Sequence, residues 1–188
     1  AELGLSGHVV ASAFGSQGAK VMNETMADMI ALEQKDAFPF HHIHATGSFG
    51  KEWMPKRVKD NGVDWENVPN LDIREYIFDM PVLLNAADVV IGRAGSGTCN
   101  ELGATGAPCI LVPSPNVTNN HQEKNARILE AAGAVKVITE KESTAQSIYD
   151  TAWSLLQAPD TLAEMGKSAR AKAQPDVLEH IYQTLKNL

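Results

Sequence analysis

Short apolar runs rich in β-branched residues alternate along the chain with longer amphipathic segments. The runs occupy residues 8–14, 40–45, 72–77, 88–91, 109–112 and 135–138. Three helical stretches close the chain, and earlier amphipathic segments occupy about residues 19–32, 50–61, 80–87, 98–106 and 121–132. Strands and helices that alternate in this way form βαβ units around a parallel sheet. The sequence therefore predicts an α/β protein with a Rossmann-like, doubly wound parallel sheet, whose ligands bind beyond the carboxyl ends of the strands.

Length, composition and charge fit one soluble globular domain. The 188 residues are 44% hydrophobic and 21% charged, and a chain of this length buries roughly 70% of its unfolded surface, so its core needs no metal or disulfide. A net charge of −7 is the wrong sign for holding nucleic acid through bulk electrostatics. Cys99 and Cys109 lack histidines at metal-ligand spacing, and no signal peptide or membrane-spanning run is visible. We therefore expect a reduced, cytoplasmic protein without a nucleic-acid partner.

Two of the predicted strand-to-helix turns, residues 15–18 and 95–98, are rich in glycine and hydroxyl side chains. Glycine lets the main chain approach a ligand closely, and the N–H groups at a helix start attract negative charge, so each turn could hold a phosphate. Both turns follow strands of one parallel sheet and are expected at the same edge. Tight turns also use glycine for purely steric reasons, and that explanation stays open for each turn.

Two known phosphate-binding motifs are absent from these turns. No Gly-Lys-Ser/Thr of a Walker loop occurs, and the Gly95-Ser96-Gly97 segment is not followed by the third glycine of the dinucleotide fingerprint. These absences argue against ATP hydrolysis and hydride transfer.

Polar groups that suit a sugar nucleotide lie near the second turn. Glu101 stands one helical turn beyond Thr98, where a carboxylate could accept hydrogen bonds from vicinal sugar hydroxyls, although helix starts also favour glutamate as a cap. The segment 113–123 is dense in amides and hydroxyls, which can bind sugar hydroxyls. Asparagine-rich loops are also common turn sequences. The residues alone leave both explanations open.

Several ordered motifs match one known family over nearly the whole chain. They are residues 15–19 (GSQGA), 76–80 (YIFDM), 87–91 (ADVVI), 93–101 (RAGSGTCNE) and 113–127. With these motifs the chain resembles the C-terminal, donor-binding half of the MurG family, bacterial UDP-N-acetylglucosamine transferases that convert lipid I into lipid II in peptidoglycan synthesis. The resemblance implies one Rossmann-like half of a GT-B glycosyltransferase fold, with residues 1–188 as the donor-binding domain.

The resemblance also assigns nucleotide-binding roles. It implies that Ser16 lies beside the diphosphate and that the main chain of Ile77 meets the uracil edge. It further implies that Gly95, Ser96 and Thr98 hold phosphate at the start of their helix.

Sugar-binding roles follow from the same resemblance. Glu101 would take the ribose hydroxyls, and His121 and Gln122 would take the hydroxyls of N-acetylglucosamine. Three residues depart from the family pattern. His121 replaces a glutamine found in some members, and Ser96-Gly97 replaces the more usual Ala-Leu or Ala-Ile.

The resemblance implies a second half that this chain does not contain. In the family, the N-terminal half supplies the acceptor site for lipid I, the membrane-facing apolar patch and the proposed catalytic base. We therefore expect no catalytic residue here, UDP-N-acetylglucosamine as the ligand, and an acceptor-binding partner half on the same chain or on a separate subunit. Because no Asp-x-Asp occurs and a helix start can stabilise the leaving UDP, we expect neither a metal nor a cofactor.

Three other functions stay open. One is the catalytic subunit of a split GT-B transferase, another is a domain like UDP-N-acetylglucosamine 2-epimerase, and the third is a UDP-sugar-binding module without enzymatic activity. For the leading hypothesis, the complete enzyme is expected on the cytoplasmic face of the cell membrane.

Three histidines fall in the second predicted strand. Alternation puts only His42 and His44 of the set His41, His42 and His44 on one face, and no third metal ligand has suitable spacing. We expect a structural or edge-strand role for them.

Overall fold

Six parallel strands form one sheet in the computed structural model, which describes residues 7–173 and 177–186. The strands are β1 (Val9–Ala13), β2 (His41–Ala45), β3 (Leu71–Arg74), β4 (Val89–Gly92), β5 (Cys109–Leu111) and β6 (Val135–Val137). Their order across the sheet is β3-β2-β1-β4-β5-β6, and each neighbouring pair is parallel. With helices on both faces, this order confirms the predicted Rossmann-like, doubly wound sheet.

Eight α-helices flank the strands in the described part of the chain. They are α1 (Lys20–Lys35), α2 (Trp53–Asp60), α3 (Met80–Ala86), α4 (Ser96–Thr105), α5 (His121–Ala131), α6 (Ala145–Leu156), α7 (Pro159–Arg170) and α8 (Val177–Lys186). Short 3₁₀ helices cover Trp65–Asn67 and Thr118–Asn120. Each predicted helix is present, and α4 begins within the predicted glycine-rich turn.

Apolar side chains cover both faces of the sheet. One face packs against α1, α2 and α6 through fully buried side chains such as Met22 and Ile148. The other face packs against α3, α4 and α5 through Leu83, Leu102 and Ala126. Burial on both faces explains why β1, β4 and β5 consist almost entirely of apolar residues.

A chain of polar side chains crosses this apolar interior. Glu33 of α1, Ser12 of β1, and His42 and His44 of β2 are each fully buried. Glu33 Oε1 lies 2.8 Å from His42 Nδ1, and Ser12 Oγ lies 2.7 Å from both His42 Nε2 and His44 Nδ1. The two rings share one face of β2, as alternation predicts. Because β2 lies between β1 and β3, their role is structural rather than that of an edge strand.

The third strand is shorter than predicted, because it ends at Arg74 rather than at Ile77. Its neighbour β2 is followed by Gly47, which has a φ of 69° and turns the chain away from the sheet. Gly47 N still donates to Glu75 O, 2.9 Å away. Beyond that bond, residues 75–79 leave the sheet as an irregular segment that leads into α3.

Candidate functional site

The carboxyl ends of β1 and β4 lie side by side near the middle of the sheet. Ala13 of β1 pairs with Gly92 of β4, so the turns that follow them leave the sheet next to each other. The chain proceeds from β1 to β2 on one side and returns to β4 on the other. Such a switch point is the usual place for a ligand crevice in a parallel α/β sheet.

The helices that follow these two turns start without a side-chain cap. Ala19 precedes α1 and Gly95 precedes α4, and neither residue provides a side-chain hydrogen bond to the first helical turn. The first N–H groups of a helix have no partner within the helix itself. Two sets of main-chain donors, at the positive ends of two helix dipoles, therefore face one edge of the sheet, where they favour a bound anion.

The predicted phosphate-site residues lie on these two turns. Ser16 is exposed in the β1–α1 turn, and Gly95 directly precedes α4. Ser96 and Thr98 belong to the first turn of α4, with Ser96 exposed and Thr98 half-buried. Because Ala13 and Gly92 are paired, the structure brings this group together as the sequence predicts for a common edge.

Ile77 lies in the irregular segment between β3 and α3. Its side chain is only 5% exposed and belongs to the same apolar cluster as Leu102 of α4. The flanking Tyr76 and Phe78 are 48% and 87% exposed, and their rings meet edge to face with centroids 5.2 Å apart. A ligand that approaches here meets the main chain of Ile77 and two exposed aromatic rings.

Glu101 lies on the solvent side of α4, one helical turn after Thr98. No ion pair joins its carboxylate to the described residues, while its main-chain carbonyl accepts a hydrogen bond from Thr105 Oγ1 at 2.8 Å. The carboxylate is therefore available to accept hydrogen bonds from ligand hydroxyls near the helix start.

His121 and Gln122 open α5 at the end of the β5–α5 loop. Gln122 Oε1 accepts a hydrogen bond from Ser114 N at 2.9 Å, which ties the start of the loop to the helix. His121 Nδ1 lies 3.0 Å from Thr118 O. A carbonyl only accepts, so Nδ1 carries a ring proton, and in the neutral form of the ring Nε2 is an acceptor.

The chain matches the family model for the glycosyltransferase family 28 C-terminal domain over residues 10–181. It belongs to that family. The match contains all six strands except the first residue of β1, and it contains every predicted site residue.

Relatives of this family 28 domain are longer proteins. A transferase from Acetivibrio thermocellus named UDP-N-acetylglucosamine--N-acetylmuramyl-(pentapeptide) pyrophosphoryl-undecaprenol N-acetylglucosamine transferase is 40% identical over 174 residues, which are 93% of this chain and 46% of that protein. A transferase of the same name from Caldanaerobacter subterraneus subsp. tengcongensis is 37% identical over 98% of this chain and 49% of its own length. The chain therefore spans about half the length of these relatives.

Solved structures agree with the family and with the GT-B-like fold. The crystal structure of MurG from Acinetobacter baumannii superimposes with a TM-score of 0.80 and 26% identity, covering 97% of this chain and 50% of that one. UDP-GlcNAc 2-epimerase from Neisseria meningitidis, solved bound to UDP-GlcNAc, has a TM-score of 0.67 at 16% identity, over 97% of this chain and 45% of that one. The second likeness is one of fold alone.

An ion pair fixes the main chain just before α4 of the family 28 domain. Arg93 pairs with Glu140, their side chains being 12% and 16% exposed, and Arg93 Nη1 also donates to Val112 O at 3.0 Å. Asn125 Nδ2 donates to Ala94 O at 3.1 Å. Sequence reasoning noted Arg93 in a motif but did not foresee Glu140, which is distant in the chain. The guanidinium is thus occupied in holding the turn.

The buried Glu33, His42 and Ser12 have the order of an acid, a base and a nucleophile. All three are fully buried within the sheet and α1. A hydrolase serine must meet its substrate, so this arrangement supports the domain structurally and is not an active site.

The described residues contain neither a membrane-spanning helix nor a cluster of metal ligands. No helix in ranges 7–173 and 177–186 is long and apolar enough to cross a membrane. In the same ranges, no group of three or more His, Cys, Asp or Glu side chains is arranged to hold a metal ion.

Proposed function

We propose that this chain is the donor-binding half of an inverting glycosyltransferase that moves N-acetylglucosamine from UDP-N-acetylglucosamine to lipid I, forming lipid II. The observation that carries the proposal is the pair of uncapped helix starts at neighbouring strand ends, within a domain of glycosyltransferase family 28. The names of the longer relatives supply the donor sugar and the undecaprenol-linked acceptor.

The uncapped helix starts suit the charge that develops in such a transfer. When the glycosidic bond to UDP breaks, negative charge grows on the leaving diphosphate. Fixed main-chain donors near Ser16 and at Gly95, Ser96 and Thr98 stabilise that charge without reorganising. This part of the site needs no metal or cofactor.

The remaining site residues would bind the two ends of the donor. The main chain of Ile77 would bind the uracil edge, and the Glu101 carboxylate would accept from the ribose hydroxyls. His121 Nε2 would accept from a hydroxyl of N-acetylglucosamine, and the side-chain NH₂ of Gln122 would donate to one, since its oxygen already accepts from Ser114.

The rest of the protein would supply the acceptor side. The chain spans about half the length of its relatives, and we assign to it residues 1–188 as the donor domain. An acceptor-binding half, on the same chain or on a partner subunit, would bind lipid I and provide the catalytic base. Because the acceptor named for the relatives contains undecaprenol, a lipid, we place the complete enzyme at the cytoplasmic face of the membrane.

Calorimetric titration with UDP-N-acetylglucosamine, UDP-glucose and UDP tests the proposal. We expect all three to bind, with UDP-N-acetylglucosamine tighter than UDP-glucose, and we expect EDTA to change none of the affinities. Glu101→Ala should weaken UDP binding by roughly 1.5–3 kcal/mol, the cost of a hydrogen bond to a charged group, which is about 10- to 150-fold. Glu164→Ala is the matched control, since Glu164 is a 73% exposed carboxylate on α7.

Two of the alternative functions predict a different result, and two outcomes would refute the proposed site. Absence of UDP binding would refute the donor site, and loss of binding in EDTA would refute a metal-free one. Conversion of UDP-N-acetylglucosamine into its C2 epimer by the isolated chain would favour the epimerase. Transfer restored only by adding a separate acceptor-binding polypeptide would identify a split transferase.

A further inference from the structure

A short loop after β2 packs across the turn that follows β1. This bracing loop, residues 46–50, donates from Ser48 N to Ser16 O and from Phe49 N to Gln17 O, both at 3.1 Å. The bracing loop thus pairs with the main chain of the proposed diphosphate-binding turn. No residue of the bracing loop is among the site residues named above.

The contact between the bracing loop and the turn is too close for side chains. A Cβ at Gly18 would lie 2.1 Å from Thr46 O, and a Cβ at Gly47 would lie 2.1 Å from Gly18 N. Both glycines have positive φ values, 77° and 69°. The two main chains therefore fit against each other only because these positions are glycine, and a small shift of the bracing loop would be transmitted directly to the turn.

Asn23 of α1 binds the bracing loop through its side-chain amide. It is 1% exposed, and its Nδ2 donates to Thr46 O at 2.7 Å. A Cβ at Gly50 would come within 2.2 Å of the same Nδ2, so the amide fills the space between α1 and the bracing loop. Its buried Oδ1 has no hydrogen-bond partner among the described residues. The hydrogen bond from Nδ2 to Thr46 O is therefore the polar contact that the Asn23 side chain makes here.

The other side of the bracing loop is tied to the segment that carries Ile77. Thr46 N donates to Arg74 O at 2.8 Å, and Gly47 N donates to Glu75 O at 2.9 Å. One short loop therefore contacts both the turn proposed to bind the diphosphate and the segment proposed to bind the base.

We propose that Asn23 is a positioning residue for the donor site, which acts by fixing the bracing loop between the diphosphate turn and the base-binding segment. This inference rests on the proposed function, because it assigns to Asn23 the geometry of that same site. Asn23 acts through the main chain of residues 46–50 and is not itself a ligand of the donor.

Asn23→Ala tests the role, with Asn70→Ala as its matched control. Asn70 also donates its side-chain amide to a carbonyl, Phe38 O at 3.2 Å, but it precedes β3 at the amino edge of the sheet. At a temperature where both variants are folded, we expect Asn23→Ala to weaken UDP binding at least tenfold and Asn70→Ala to change it less than twofold. Equal affinities for wild type and Asn23→Ala would overturn the inference.

Asn23→Asp separates positioning from a general loss of stability. A protonated aspartic acid can donate to Thr46 O as the amide does, whereas an ionised one repels that carbonyl. We expect the affinity of Asn23→Asp for UDP, relative to wild type at the same pH, to recover as the pH falls from 8 to 5. The corresponding ratio for Asn23→Ala should stay constant. A constant ratio for a folded Asn23→Asp variant would contradict the inference.

Hydrogen exchange tests the brace without any ligand. We expect Asn23→Ala to speed exchange of the Ser48 and Phe49 amides at least tenfold, with no such change in Asn70→Ala. Unchanged protection would overturn the role of Asn23 whether or not wild type binds UDP. Faster exchange together with a wild type that does not bind UDP would instead refute the proposed function and leave the brace supported.

Discussion

The buried ring of His44 makes a specific prediction about acid stability. Burial, together with the neighbouring His42, lowers the pKa of His44 to about 3. In the unfolded chain the same imidazole has a pKa of about 6.5. Below pH 6.5 the unfolded chain therefore binds a proton that the native protein does not, and the free energy of unfolding falls as the pH is lowered.

The predicted loss of stability follows from the binding of one proton to His44 in the unfolded chain. The contribution of His44 to stability is complete above pH 6.5 and is lost at about 1.4 kcal/mol per pH unit as the pH falls from 6.5 towards 3. Between pH 7.5 and 4.5 the loss is about 2.7 kcal/mol. The slope of unfolding free energy against pH requires only that the pKa of His44 is far lower in the native protein than in the unfolded chain.

Urea unfolding, followed by tryptophan fluorescence from pH 7.5 to 4.5, measures this loss in wild type and in His44→Asn. The variant cannot bind a proton at this position, and both proteins retain His42 and Glu33. We expect the variant to be less stable at pH 7.5, and the difference in unfolding free energy to shrink by about 2.7 kcal/mol between pH 7.5 and 4.5. His121→Asn, at an exposed ring, is the control variant. Parallel pH profiles for wild type and His44→Asn would refute the reasoning.

Two more stability predictions concern a buried ion pair and a helix cap. Arg93→Met should lower the free energy of unfolding, measured in urea, by about 3–5 kcal/mol, because it leaves the largely buried Glu140 without its partner. The double variant Arg93→Met/Glu140→Gln should lose less stability, because it leaves no buried charge. Equal losses for the single and double variants would contradict a charge effect. Thr144→Ala should lower the unfolding free energy by about 1 kcal/mol, since Thr144 Oγ1 accepts from Ser147 N at 3.0 Å in a reciprocal cap of α6. No change in the urea midpoint would show that this cap contributes nothing.

The order of strands and helices could be predicted from the sequence because each element has a clear hydrophobic period. Buried parallel strands are short apolar runs, and helix ends carry their own signals, such as the left-handed Gly106 after α4 and Gly133 after α5. Alternation likewise predicted that His42 and His44 share one face of β2.

The features that were missed depend on contacts between distant parts of the chain. Nothing near His42 indicates that Glu33 and Ser12 would become its partners, because α1 and β1 meet β2 only in the folded sheet. The end of β3 depends on a distant segment in the same way, because the last main-chain bonds to this part of the chain come from Thr46 and Gly47 after β2. The bracing loop did have a local signal, since glycines at 47 and 50 follow a strand just as those at 15 and 18 do.

The assignment of individual ligand-binding residues stays a prediction. The structure places Ser16, Gly95, Ser96 and Thr98 on adjoining turns, but their roles towards a nucleotide come from a family resemblance. Gly95 shows why the sequence alone leaves two explanations for such a residue. A glycine before a helix can be needed for a tight turn or for the close approach of a ligand to the main chain.

The donors at the starts of α1 and α4 belong to peptide groups, which every residue other than proline possesses. Evolution can therefore exchange side chains at positions such as 96 and 97 without removing a single donor, provided that the path of the backbone is kept. We expect related domains to vary at positions such as 96 and 97 while they keep the glycine at position 18 and the path of both turns.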